Sequence, residues 1–130
     1  METEINMKKI IFTKKAPEAI GPYSQAILSK DTLYCSGQIA LNNKGELITT
    51  NIEEETTQII KNITAILNEA EMTLDNIVKT TIFLKDIHNF SLVTSIYEKY
   101  FKLNPPARET VEVSALPKNV NIEISVIAVK

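Results

Sequence analysis

Between positions 51 and 70, apolar and small residues return every three or four places, as Ile52, Thr56, Ile59, Ile60, Ile63, Ile66, Leu67 and Ala70. That spacing is one face of a 3.6-residue period and predicts a long amphipathic helix. Asn51 followed by Glu54 suits a capping box at its start, and the glutamates at 53–55 sit where the helix dipole favours negative charge. Phe90, Val93, Ile96, Tyr97, Tyr100 and Phe101 mark a second helix, which Pro105 stops. The remaining apolar runs alternate or are β-rich. Residues 9–13 read as a short strand and 16–23, with Pro17, Gly21 and Pro22, as loop. Residues 25–29 and 32–41 form a hairpin around Lys30-Asp31, and 46–49 return as a short strand after the turn at 42–45. Residues 77–85 are a further strand. Residues 110–116 and 121–129 are two last strands around Pro117-Lys118-Asn119.

A run of strands followed by helix, strand, helix, strand, strand argues an α+β fold with a single mixed sheet and both helices on one face. In the last strand Ile122, Ile124, Val126 and Ala128 point beneath the helices, and Glu123, Ser125, Ile127 and Val129 point away. The helix-free face is expected to carry Phe83, Ile127 and Val129 together with Thr81, Ser36 and Gln38. It is too apolar to be simply wet, and another subunit is the expected cover.

The length of 130 residues suits one domain, 1–130, that needs no disulfide or metal to bury its core. Lys plus Arg is 14 against 16 Asp plus Glu, a net charge of -2, so there is no general attraction to nucleic acid or anionic membrane. The lone Cys35 excludes an intrachain disulfide and fits a reducing compartment, which makes the cytoplasm the expected location. No stretch approaches the ~18 apolar residues of a membrane span. Residues 1–7 read as a loose acidic tail without a secretory signal, with Met7 an alternative start.

Few residues offer chemistry. Arg108, after Pro105-Pro106-Ala107, heads a strand and can fork a carboxylate or phosphate. Glu123, between Ile122 and Ile124, faces an apolar-leaning surface that would raise its pKa and suit it to acid–base work. Tyr23 in the Gly21-Pro22 loop can close over a ligand, and Ser36-Gly37 offers backbone to one, or a β-bulge. Cys35 has the parity of buried neighbours and reads as an inert thiol. His88 is the only histidine, so no metal site and no Ser-His-Asp arrangement gains support. Pairing the last two strands as a hairpin would put Glu123 opposite a residue near 113, roughly 16 Å from Arg108 at ~3.3 Å per residue. One small ligand does not span that gap, so either the strands pair in another register or the two residues converge across a subunit boundary, and an interfacial site is the expectation.

Five ordered blocks, Ala16 to Gln25, Cys35-Ser36-Gly37-Gln38-Ile39, Val78 to Asp86, Asn104 to Val113 with Ile122-Glu123-Ile124, and Ala115-Leu116-Pro117-Lys118, resemble the RidA/YjgF family. The resemblance implies a chorismate-mutase-like fold assembled as a homotrimer, with the helix-free sheet faces inside and sites in the clefts between subunits. It implies hydrolysis of 2-aminoacrylate and 2-iminobutyrate to 2-oxo acids and ammonia. Arg108 would grip the substrate carboxylate, Glu123 would handle protons, backbone near Gly37 and Thr110 would hold the ligand, and Tyr23 would pack over it. No metal or organic cofactor is expected, because an iminium carbon is already electrophilic. The sequence departs from the family pattern at Thr110, where many members carry cysteine, and at Thr94, where many carry asparagine; both bear on substrate range and rate. The rivals are a non-catalytic 2-oxo-acid binder or regulator, and endoribonuclease activity, which the net charge and single histidine disfavour. Chorismate mutase chemistry would follow from fold analogy alone.

Overall fold

The computed structural model describes residues 8–130, so the tail and start expected at residues 1–7 lie outside the described residues. The elements run β1 (Lys8–Ile11), β2 (Ala26–Ser29), β3 (Thr32–Gln38), α1 (Ile52–Glu69), β4 (Ile77–Leu84), α2 (Phe90–Tyr100), β5 (Ala107–Glu112) and β6 (Ile122–Val129). The strands form one mixed six-stranded sheet in the order β1-β2-β3-β6-β4-β5. Both helices lie on one face. This is the α+β architecture that the order of periodic segments implies.

Helix α1 begins at Asn51, whose side chain accepts a hydrogen bond from the Glu54 amide at 2.8 Å. Only half of the expected capping box forms, because the Glu54 carboxylate meets the Asn51 side-chain amide instead of its backbone. Ile59, Ile63, Ile66 and Leu67 from α1 are fully buried against Leu33, Ile82, Ile122 and Ile124 of the sheet. The alternation of β6 is as its sequence reads: Ile122, Ile124, Val126 and Ala128 are buried and the intervening residues are half-buried. No helix among the described residues is long and apolar enough to cross a membrane.

The expected terminal hairpin does not form. β6 pairs antiparallel with both β3 and β4, and β5 pairs parallel with β4 on its far side. The chain enters β5 from α2, and a helical crossover returns a strand parallel to the one before it. The segment between β5 and β6 then steps over β4 through a short 3-10 turn, Pro117–Asn119. Glu123 therefore faces Phe83, not a residue near 113, and the 16 Å spacing expected of a terminal hairpin does not arise.

Two smaller expectations also change. The register of β3 against β6 shifts between Cys35 and Gln38, so a bulge at Ser36-Gly37 turns Gln38 onto the buried helix face instead of the open one. Buried parity accordingly runs Leu33, Cys35, then Gln38 and Ala40. The strand expected at 46–49 reduces to a single bridge between Leu41 and Leu47.

A candidate site in two halves

The bulge in β3 decides where the carboxylate of Glu123 can lie. Gly37 has no side chain, and an added Cβ there would meet Glu123 Cδ at 2.8 Å and Cγ at 3.1 Å. The carboxylate is folded over the glycine. Burial pushes the Glu123 pKa up from the ordinary glutamate value, and no opposing cation or donor contributes to the shift.

Around that carboxylate opens a cavity of about 530 Å³, lined by Pro17, Ile20, Tyr23, Ser36, Gly37 and Glu123 among others. The loop that walls it is tied down. Gln25, 3% exposed, accepts from the Thr13 amide at 2.8 Å and donates to the carbonyls of Thr13 at 3.0 Å and Pro17 at 2.8 Å. Ser36 Oγ donates to the Ser24 carbonyl at 2.6 Å, so the hydroxyl serves the loop as well as lining the space. Tyr23 stands over the opening, its hydroxyl 3.4 Å from the Ile20 amide that donates to it. Four candidate residues, Tyr23, Ser36, Gly37 and Glu123, are thus brought together.

Arg108, Thr110 and Thr94 form a separate group. Arg108 is the cross-strand neighbour of Thr80, and Thr80 in turn of Val126, so Arg108 lies on the helix face of the sheet. Glu123 and Phe83 belong to the opposite face. The Arg108 guanidinium sits over the rings of Phe90 and Tyr97 in α2, and Thr94 falls between those residues at helical spacing. The hydroxyls of Thr94 and Thr110 are both buried with no hydrogen-bond partner among the described residues. Within one chain the two groups are separated by the sheet.

A sequence profile described as Endoribonuclease L-PSP matches residues 13–130. The chain belongs to the RidA/YjgF family. A RutC family protein of Saccharolobus solfataricus is 53% identical over 125 residues, 95% of this chain and 99% of the relative. The 2-iminobutanoate/2-iminopropanoate deaminase of Homo sapiens is 46% identical over 125 residues, covering 95% and 91%. Among solved structures, a protein of unknown function of the Rid family from Yersinia pestis superposes with a TM-score of 0.92 at 55% identity, covering 95% of this chain and 99% of that one.

In this RidA-family chain Cys35 is buried and its thiol is pushed up to about 12 by burial, the behaviour of an inert core thiol. Two residues hold positions that the sequence did not point to. Gln25 reads in sequence as the start of a strand, although a long amide next to a proline-rich loop is a natural pin for that loop's backbone. Glu55 is fully buried, and its carboxylate accepts from the Asn121 amide at 3.3 Å and side-chain Nδ2 at 2.6 Å, two residues before Glu123. Its signal was available: Glu55 stands three residues after Ile52 and four before Ile59, on the apolar stripe rather than beside it.

Proposed function

We propose that this protein hydrolyses reactive 2-imino acids and their enamine tautomers, 2-iminobutyrate and 2-aminoacrylate, to 2-oxo acids and ammonia at a site shared between two copies of the chain. One observation carries the reading. Glu123 lies folded in an open cavity on one sheet face, while Arg108, the residue suited to grip a carboxylate, lies on the other. A small 2-imino acid needs both, and a second chain can supply the missing half.

The open sheet face supports such an assembly. Ile10, Ile27, Tyr34 and Ile127 form a row across four strands, and Ile10 and Tyr34 are 63% and 52% exposed. No helix among the described residues covers this row, and a homotrimer with these faces inside would. The 46% identity to a protein named for this deaminase activity supports the chemistry.

In the proposed reaction Arg108 forks the substrate carboxylate, with Thr110 and Thr94 beside it. Glu123 takes a proton from water as the oxygen adds to the iminium carbon. It returns that proton to nitrogen, and as the carbon–nitrogen bond breaks the added hydroxyl gives up its own proton to become the carbonyl, so iminium and one water yield the 2-oxo acid, ammonia and a proton. A carboxyl with a raised pKa is suited to carry the proton both ways. Tyr23 and the backbone at Gly37 confine the ligand, so the protein supplies positioning and proton transfer without a cofactor.

The test generates the imines in situ from threonine and serine with a dehydratase and follows 2-oxo acid release. Acceleration by the wild type, with kcat/KM reduced roughly 10- to 100-fold in Arg108→Ala and a loss of kcat in Glu123→Gln, is the expected result. Equal rates with and without the assembled protein would end the deaminase reading.

A further inference from the structure

Arginine binds a carboxylate through the edge of a flat, delocalised cation, so the plane of that cation has to be held for the fork to be aimed. In this chain aromatic rings hold it. The Arg108 guanidinium carbon is 4.9 Å from the centre of the Tyr97 ring and 5.2 Å from that of Phe90, both within cation–π range. Phe90 and Tyr97 lie on one face of α2 with about 10 Å of helix between them, so a guanidinium near 5 Å from each is seated between the rings.

One ring is itself fixed. Tyr97 is 6% exposed, its hydroxyl is 2.8 Å from Thr80 Oγ1, and its ring packs on Phe101 with centres 4.4 Å apart. Thr80 is also the cross-strand neighbour of Arg108, so β4, α2 and β5 meet around this one cation. Burial raises the Tyr97 pKa, which keeps the phenol neutral beneath the arginine. The ion pairs among the described residues are Lys79–Glu109, Asp86–His88 and Lys130–Glu71, none of which engages Arg108. Its charge is held by rings, and among the described residues no carboxylate neutralises it.

We propose that Phe90 and Tyr97 are positioning residues that hold the Arg108 guanidinium between their rings and leave its edge to receive the substrate carboxylate, with Thr80 locking Tyr97 in place. The proposal rests on the reading of Arg108 as the carboxylate anchor. Rings serve this purpose better than a carboxylate would, because they fix orientation without competing for the same N–H donors.

Phe90 gives the cleaner test, since it is 40% exposed and its replacement by leucine leaves the core intact. Binding of 2-oxobutyrate by calorimetry and turnover of 2-iminobutyrate are measured for wild type, Phe90→Leu, Phe90→Tyr, Arg108→Ala and the Arg108→Ala/Phe90→Leu double variant. Phe90→Leu is expected to raise Kd and KM roughly 3- to 30-fold with much less change in kcat. Phe90→Tyr is expected to recover most of that loss, and the double variant to bind no worse than Arg108→Ala alone. Unchanged binding in Phe90→Leu, an equal further loss in the Arg108→Ala background, or no recovery in Phe90→Tyr would each overturn the clamp. Wild-type binding in Arg108→Ala would instead remove the anchor, and the clamp with it.

Discussion

The carboxylate of Glu123 occupies the space that a side chain on residue 37 would fill: a Cβ on Gly37 would come within 2.8 Å of Glu123 Cδ. The bulge in β3 and the acid in β6 are therefore one device. Gly37 is required because the neighbouring strand's acid lies across its backbone, not because of its own φ.

Gly37→Ala separates stability from activity. The atoms in the way belong to the far end of a flexible side chain, so the protein should fold with Tm within a few degrees of wild type. The carboxylate should be driven off the cavity wall, with deaminase kcat falling on the order of 100-fold. A calorimetric scan beside the imine assay reads both quantities, and full activity would separate Gly37 from the acid's placement.

Glu123 also sets a pH dependence whose sign is fixed by its raised pKa. The folded state holds this proton more tightly than the unfolded chain does, so the group penalises folding once it ionises. The penalty is absent below the ordinary glutamate pKa of about 4.3, and it is complete above the raised folded value. Glu123→Gln should accordingly be more stable than wild type at pH 7, with the difference closing towards pH 4 in denaturant titrations. The wild-type kcat profile should show an ionisation above the ordinary glutamate value that Glu123→Gln lacks.

A shared site makes a sharper forecast for mixed assemblies. Arg108→Ala chains retain Glu123, and Glu123→Gln chains retain Arg108, so each preparation alone should be nearly inactive. Co-refolded in equal amounts, about a quarter of the interfaces should join one intact half to the other under random assembly. Recovery of roughly that fraction of wild-type activity is expected. No recovery in oligomers verified as mixed by mass spectrometry would place both residues' roles within one chain.

Glu55 holds the segment that leads into β6. Glu55→Ala strands the Asn121 amide groups that its carboxylate now accepts from, and should cost about 2–3 kcal/mol in urea unfolding. Glu55→Gln, which keeps one acceptor oxygen, should lose less. Because Asn121 lies two residues before Glu123, the alanine variant should also lower kcat in protein that remains folded.

The sequence by itself determined the elements and most of their faces. The three-and-four spacing from Ile52 to Ala70, the Asn51 cap and the apolar–polar alternation from Ile122 to Val126 are local patterns, and local patterns follow from helix and strand periods alone. The candidate residues were legible for a similar reason: Arg108, Glu123, Tyr23 and Ser36-Gly37 stand out by residue type in their own short segments, and comparison with the family pattern added Thr94 and Thr110. What only the tertiary structure decided was pairing. Whether β5 lies beside β6 or across β4 depends on the α2 crossover, and sequence distance carries no trace of it. That choice put Arg108 against the rings of Phe90 and Tyr97 and Glu123 over Gly37, on opposite faces of one sheet. The bulge at Ser36-Gly37 likewise turned Gln38 inward, because one extra residue reverses the parity of everything after it. Buried Glu55 completes the contrast: its partner Asn121 is 66 residues away, and no local pattern joins the two.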